Sequence, residues 1–513
     1  LTVSTAAVTV KTPGATLTIP SNVTINDGLA LTLGDGGATA ISASGTIQGA
    51  AGGSVDSDLV VNTTGTASFT GAIGGGNQFR NLTVTQSGGA TFGAAVTSTG
   101  GTVLLSDTDG TKVIEFDGLL TAPTLTTAAQ DYALNLDGGS TITNAVTLTN
   151  TGAVRIGDAS GDTNAFTGGL TATAPASLSL AGTIASTNQA ISLGDGDTAL
   201  TLTADTDVSA GNGVITLGGA VDGAHGLTLT TTGTANVDGV VGGGTPITSL
   251  TSNTGGTLDL GANVSVAGNV DVNDDVTLAS AVTLTTTGGG TVDFAGTVNG
   301  AQNLTLAAAG ATVFNGTVGN SAAIGTGTGA GLTINSTGTT SFEDTLQTAS
   351  GITQADGAGA VTFKGDVTTA AGDTATTLNG NVVLDGLTFN AGGASTFGSA
   401  GTDEVTLSTA AVIISDTNNA GVTVNAKVDG AQAFTVNSGG AVALNGVIGG
   451  TAAPTSLTTN TGGTLALGAN VTVAGNLDVN DNTTLAGAVT LTTTGSGTID
   501  FAGTVDGGQD LTV

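Results

Sequence analysis

Cysteine, methionine and tryptophan are absent from the 513 residues, and tyrosine and histidine occur once each, as Tyr132 and His225. Without cysteine there is no disulfide, no thiolate metal site and no thiol nucleophile. The chain opens Leu1-Thr-Val3 instead of on an initiator methionine, which reads as a processed product or a segment of something larger. Six basic residues (Lys11, Arg80, Lys112, Arg155, Lys364 and Lys427) stand against 38 acidic ones, for a net charge of −32. Nucleic acid is excluded as a partner, because phosphate neutralisation needs Lys and Arg, and anionic lipid is disfavoured for the same reason. Six prolines rule out collagen and proline-rich linkers. No apolar run approaches the roughly 18 residues of a membrane-spanning helix, so the chain is not expected to be membrane-embedded. Aromatics at 3% are too few for the girdles of an outer-membrane barrel.

Glycine fills 87 positions, and threonine, alanine and valine are abundant. Helical periodicity does not persist. Short alternation does: Leu29-Ala-Leu31-Thr-Leu33, Leu178-Ser-Leu180, Leu200-Thr-Leu202 and Leu304-Thr-Leu306 read as strands of three to six residues. Gly, Asn and Asp between them suit corners, where left-handed backbone angles are needed. Low charge with a positive mean hydropathy argues against disorder.

A small unit, apolar-x-Gly-x-apolar, recurs along the chain. It stands at Phe69-Gly71-Ile73, Phe116-Gly118-Leu120, Phe166-Gly168-Leu170, Leu217-Gly219-Val221, Val237-Gly239-Val241, Val266-Gly268-Val270, Phe294-Gly296-Val298, Phe314-Gly316-Val318 and Phe363-Gly365-Val367. Phe342-Glu-Asp344-Thr-Leu346 is the same unit with Asp for Gly. From Leu217 the first residues are spaced 20, 29, 28, 20, 28 and 21. Such periods suit the coils of a solenoid. The expected fold is therefore all-β: an elongated parallel β-solenoid, or β-helix, of roughly 20–29-residue coils. Phe294, Phe314, Phe342 and Phe363 should stack inside it, one per coil.

A larger repeat overlies the small one. Residues 251–306 and 458–513 align without a gap, with 43 of 56 positions identical, and the 207-residue register reaches back to Val221 and Val428. Weaker echoes cover 69–96 and 314–346. One continuous array over residues 1–513 accounts for these repeats better than two domains and a linker.

Chemistry is sparse. His225 lies in the corner Asp222-Gly-Ala-His225-Gly226, its counterpart is Gln432, and no Gly-x-Ser-x-Gly elbow accompanies it. Paired carboxylates able to serve a glycosidase are Asp56 with Asp58, Asp195 with Asp197, and Asp274 with Asp275, but Asp275 becomes Asn482 in the second copy. Calcium is the one cofactor worth testing: Asp107-Thr-Asp109-Gly110 with Glu115 matches the front of a calcium loop but lacks its third acid. The corners Leu33-Gly-Asp35-Gly36 and Leu193-Gly-Asp195-Gly196 are distant likenesses of calcium β-roll repeats. Threonine-x-threonine pairs such as Thr228 and Thr230 fit an ice-binding array only if rungs of unequal length keep one register. No catalytic, cofactor-binding or metal-binding residue is assigned, and no enzyme is expected.

The apolar-x-Gly-x-apolar units, the run Val-Val-Gly-Gly-Gly244-Thr-Pro-Ile-Thr-Ser-Leu250 and the threonine-rich strands resemble the repeat regions of giant secreted bacterial surface proteins, the filamentous-haemagglutinin-like adhesins and autotransporter passengers. That resemblance implies an extracellular, fibrous, non-enzymatic stalk or filament at the cell surface. Self-association or end-to-end continuation into a fibre would be its partnership. An adhesin that binds glycans or proteins is the alternative, and a carbohydrate-active β-helix enzyme the third reading.

Overall fold

The computed structural model describes residues 1–77, 79–106, 112–253, 255–370, 374–460 and 462–513. The chain forms two compact units, Leu1–Leu258 and Asp259–Val513. Each is a parallel β-solenoid, and every strand pair between turns is parallel. No helix among the described residues is long and apolar enough to cross a membrane.

A turn consists of three short strands joined by corners. In the first unit, Ala90–Phe92, Val96–Thr97 and Thr102–Leu105 make one turn. They pair with Val113–Phe116, Leu120–Ala122 and Thr124–Thr127 of the next. In the second unit, Val361–Phe363, Val367–Thr369 and Thr376–Leu378 pair in the same way with Val382–Asp385, Thr388–Ala391 and Ser395–Phe397. The alternation explains why: strand triplets of the type Val-Thr-Phe bury the first and third side chains and leave the middle one outside. Three strands close the section because each buries only one face, and the three faces meet in a common interior.

Residues one turn apart stack in register. Phe69, Phe92 and Phe116 form one column, with ring centroids 5.0 and 4.8 Å apart. Phe294, Phe314, Phe342 and Phe363 form the expected one, at 4.8, 4.8 and 5.4 Å with rings within 11° of parallel. All seven rings are buried. This spacing is the strand separation itself, so the backbone ladder sets the ring stacking.

Ladder offsets run from 18 residues (Thr464 to Asn482) to 28 (Phe314 to Phe342). The spacings of 29 and 28 on either side of Val266 do not measure turns. Val266 pairs with Thr286, and Phe294 with Val272. The same small unit occurs at more than one corner of the section, so counting from one instance to the next crosses faces. Its glycines also serve a purpose other than left-handed geometry. Gly239 and Gly316 have ordinary φ, but a Cβ there would lie 1.9 and 2.5 Å from a carbonyl oxygen of the preceding turn. Backbone packs on backbone at these corners.

The weaker echoes share a second corner. Gly74, Gly242, Gly319 and Gly449 all have φ between 68° and 77°. Each donates its N–H to the residue one turn back: Ile47, Val221, Val298 and Val428, at 2.7–2.8 Å. The residue before each is an isolated parallel bridge.

The 207-residue repeat is not a whole number of turns. In the second unit one 12-stranded sheet begins at Val264–Val266, and nine turns on it reaches Thr464–Leu467. The counterpart of Val264–Val266, Val471–Val473, comes one strand later and belongs to a different sheet, with Val489–Thr493. Near-identical segments therefore occupy different faces. The faces are interchangeable because each presents the same inward apolar row.

Candidate functional site

A groove lined mainly by polar side chains lies in the first unit, where Ala199–Gly211 runs past a corner as one strand. Leu202 to Thr206 spans two residues more than the facing Leu180 to Gly182, and the surplus bulges out. Ser160, Thr183, Asp205, Asp207, Thr228 and Ser249 line a groove of about 260 Å³. Asp205 accepts the Gly226 N–H at 2.8 Å and Asp207 accepts the Thr230 hydroxyl at 3.0 Å. Burial pushes the Asp207 carboxyl above its ordinary value, with the Thr230 hydroxyl acting the other way. Ligand pockets are typically larger and mostly apolar or aromatic; this groove is neither.

His225 stands at its edge, Nδ1 4.0 Å from Asp205 Oδ1, with a side chain 40% exposed. Its backbone N–H donates to Gly223 and its carbonyl accepts from Thr248. Gln432 does both in the second copy, to Gly430 and from Thr455. The corner is the same without the imidazole, so the histidine is not its structural cause.

One member of each carboxylate pair has a structural role. Asp58 holds Arg80 through both oxygens, at 2.9 and 2.6 Å, and also accepts from Asn81. Asp195 closes its own turn onto the Asp197 N–H and the Thr198 hydroxyl, and those bonds lower its carboxyl. Asp35 does likewise with Gly37 and with Lys11, and is lowered first by the Lys11 ammonium. Asp274 is buried. Asp275 accepts the Thr297 N–H at 2.8 Å and hydroxyl at 2.9 Å; Asn482 makes the same two bonds with Thr504, at 3.0 and 3.3 Å. An amide oxygen replaces the carboxylate oxygen, so the charge is dispensable there.

The sequence pattern Asp107-Thr-Asp109-Gly110 lies outside the described residues. Its Glu115 does not: it belongs to a group that spacing alone does not single out. Glu115, Asn135 and Arg155 stack on the outer side of consecutive turns. Arg155 pairs with Asp137 through Nε at 2.6 Å and through Nη2, and reaches Glu115 at 3.4 Å. Glu115, Asp117 and Asp137 bring carboxylate oxygens within 4.8 Å of one another, the donor arrangement a cation would need. Burial raises the Asp117 carboxyl, with Glu115 and Asp137 adding to it and Arg155 opposing. Asp158 is also raised, by burial and then by Asp137. Both Asp137 oxygens are engaged by Arg155, so an ion here would compete with the guanidinium. The available signal is the period itself: 115, 135 and 155 are one 20-residue turn apart.

Comparison with family models, with curated proteins and with solved structures finds no match.

Proposed function

We propose that this chain is a structural segment of an extracellular fibre, stalk or filament, and not an enzyme. The observation that carries this reading is how the side chains are used. In both units the inward rows form apolar ladders from turn to turn, while Asp195, Asp222, Asp275 and Asp366 hold corners and Asp58, Asp137 and Glu343 hold ion pairs. The cell-surface placement rests on the resemblance of the repeats to secreted bacterial surface proteins.

The aromatic distribution favours a scaffold over a glycan-binding adhesin. Twelve of the 13 phenylalanines and Tyr132 are buried, and Phe501 alone is partly exposed. Sugar rings bind best on exposed aromatic faces, and no described residue supplies a fully exposed one.

One observation favours the carbohydrate-active alternative: Arg155 stands beside Asp137, Glu115 and Asp117, a base next to acids. Two assays separate the readings. Incubation with a panel of acidic and neutral polysaccharides should give no new reducing or unsaturated ends, and glycan pulldown should retain no protein. Degradation abolished by Arg155→Gln would replace the structural reading with an enzymatic one. Specific glycan retention would replace it with an adhesive one.

A further inference from the structure

Charge is distributed unevenly over the second unit. The sheet that begins at Val264–Val266 continues through Val282–Thr286, Leu304–Ala308, Leu332–Ile334, Ile352–Gln354, Thr376–Leu378, Ser395–Phe397, Val422–Val424 and Ala441–Leu444 to Thr464–Leu467. These ten consecutive strands contain no Asp, Glu, Lys or Arg. The other faces of the unit carry Asp271, Asp293, Asp385, Glu404, Lys427, Asp478 and Asp500 within their strands.

The outer row of this sheet is chemically uniform. Thr283, Thr305, Thr333, Thr353, Thr377, Thr396 and Thr423 face one another in unbroken register, and Ala443 and Ala466 follow. Turns here differ in length from 19 to 28 residues, yet the surplus is absorbed at corners and the row stays aligned.

The duplication supplies an independent indication that this face is kept neutral. Its two copies put matching residues on different faces. Asp259 lies off the sheet, and its counterpart Ala466 lies on it. Asp275, off the sheet, corresponds to Asn482, on it. Asn303, just before a strand of the sheet, corresponds to Asp510, beside a strand of another. The exception, Asn299 to Asp506, falls on the last strand of the sheet, beyond the uncharged ten.

We propose that this face docks a second copy of the chain, side by side. Two molecules of net charge −32 repel wherever acidic surfaces meet. The neutral sheet is the surface through which they approach without placing carboxylates against one another. Short side chains let two sheets pack at about 10 Å. Ten strands at about 4.8 Å and a width of about 15 Å give roughly 650 Å² per copy, about 1,300 Å² for the pair, the size of a specific interface. The inference rests on the fibre reading and adds the face through which fibres associate laterally.

Sedimentation velocity on the 513-residue chain, across protein concentration and at moderate salt, tests it. The wild type should form a concentration-dependent dimer or larger species. Thr333→Asp with Thr396→Asp should leave a monomer, and so should Thr333→Lys with Thr396→Lys. Mixing the two variants should restore association. Thr362→Asp, on a different sheet, adds charge elsewhere and should leave association intact. Circular dichroism melts confirm that each variant is folded. A wild type that stays monomeric throughout overturns the proposal. So does association that the face variants do not change, which leaves the fibre reading standing with another contact surface. Retention on ice or on a neutral polysaccharide by a monomeric protein, lost in the face variants, also overturns it, because the occupant is then not a second copy.

Discussion

Asp275 and Asn482 occupy one position in two copies, and the hydrogen bonds they share show what the position requires. A side-chain oxygen at the end of one turn accepts the N–H of a threonine on the next. The same bond joins Asn263 to Thr283 and Asn470 to Thr490, and also Asn269 to Thr291 and Asn476 to Thr498. Asp275→Asn should therefore leave stability within about 0.5 kcal/mol, while Asp275→Ala, which leaves the Thr297 N–H unpaired, should cost about 1 kcal/mol. Local hydrogen exchange at Thr297 reads both. Asp207 has the opposite character. Its carboxyl is raised from an ordinary 3.8, so the folded state holds the proton more tightly than the unfolded one. Stability then falls as pH rises from the ordinary value through the raised one, and the loss is complete at neutral pH. Asp207→Asn, which keeps an oxygen for Thr230, should melt higher than wild type at pH 7. The advantage should vanish below about pH 3.8, and melts at both pH values check it.

The column Phe294, Phe314, Phe342 and Phe363 shows how an element here is stabilised: each ring is covered by the turn above and the turn below. The second copy makes the point by contrast. Phe501, counterpart of the buried Phe294, pairs only with Val479 in the turn before it and is partly exposed. Phe342→Ala should cost about 3–5 kcal/mol, and Phe342→Leu less, about 1.5 kcal/mol. Stacked turns contact mainly their neighbours, so unfolding need not be all-or-none. The loss should appear as faster hydrogen exchange in Thr312–Phe314 and Val361–Phe363, with strands several turns away unaffected. Uniform destabilisation of the whole second unit would contradict that nearest-neighbour picture.

Across the whole molecule, acidity outweighs every other electrostatic feature. Asp271 lies directly opposite Asp293 on adjacent strands, and Asp478 opposite Asp500 in the second copy. Like charges so placed destabilise a sheet, and their separation is shorter than the Debye length of about 8–10 Å at moderate salt. Raising salt from millimolar to near-molar, or adding millimolar calcium, should raise the melting temperature or increase light scattering. A flat response across EDTA, calcium and salt titrations would show that these charges are already compensated. Calcium acting at far lower concentration than sodium would direct attention to Glu115, Asp117 and Asp137. That group is legible only in part from the chain: Glu115 follows Asp107 and Asp109 in sequence, whereas turn length makes Asp137 and Arg155 its neighbours in space.

The local alternation, the strand-and-corner grammar, the parallel solenoid and the duplication can all be read from the order of residues. They follow from short-range rules: which side chains alternate, where glycine stands, and how often the pattern returns. The buried phenylalanine column is legible in the same way, since Phe294, Phe314, Phe342 and Phe363 keep one place in one motif. Which instances of that motif share a face emerges only when the turns are stacked. Val266 fits the motif and lies on another face, because corners of different length shift the phase of the turn without altering the motif. Stacking also sets where the 207-residue repeat ends, one face beyond nine turns. It brings Arg155 to Asp137 and aligns seven threonines on an uncharged sheet. Those are properties of register between residues about 20 apart, and register is set by how each corner takes up its extra length.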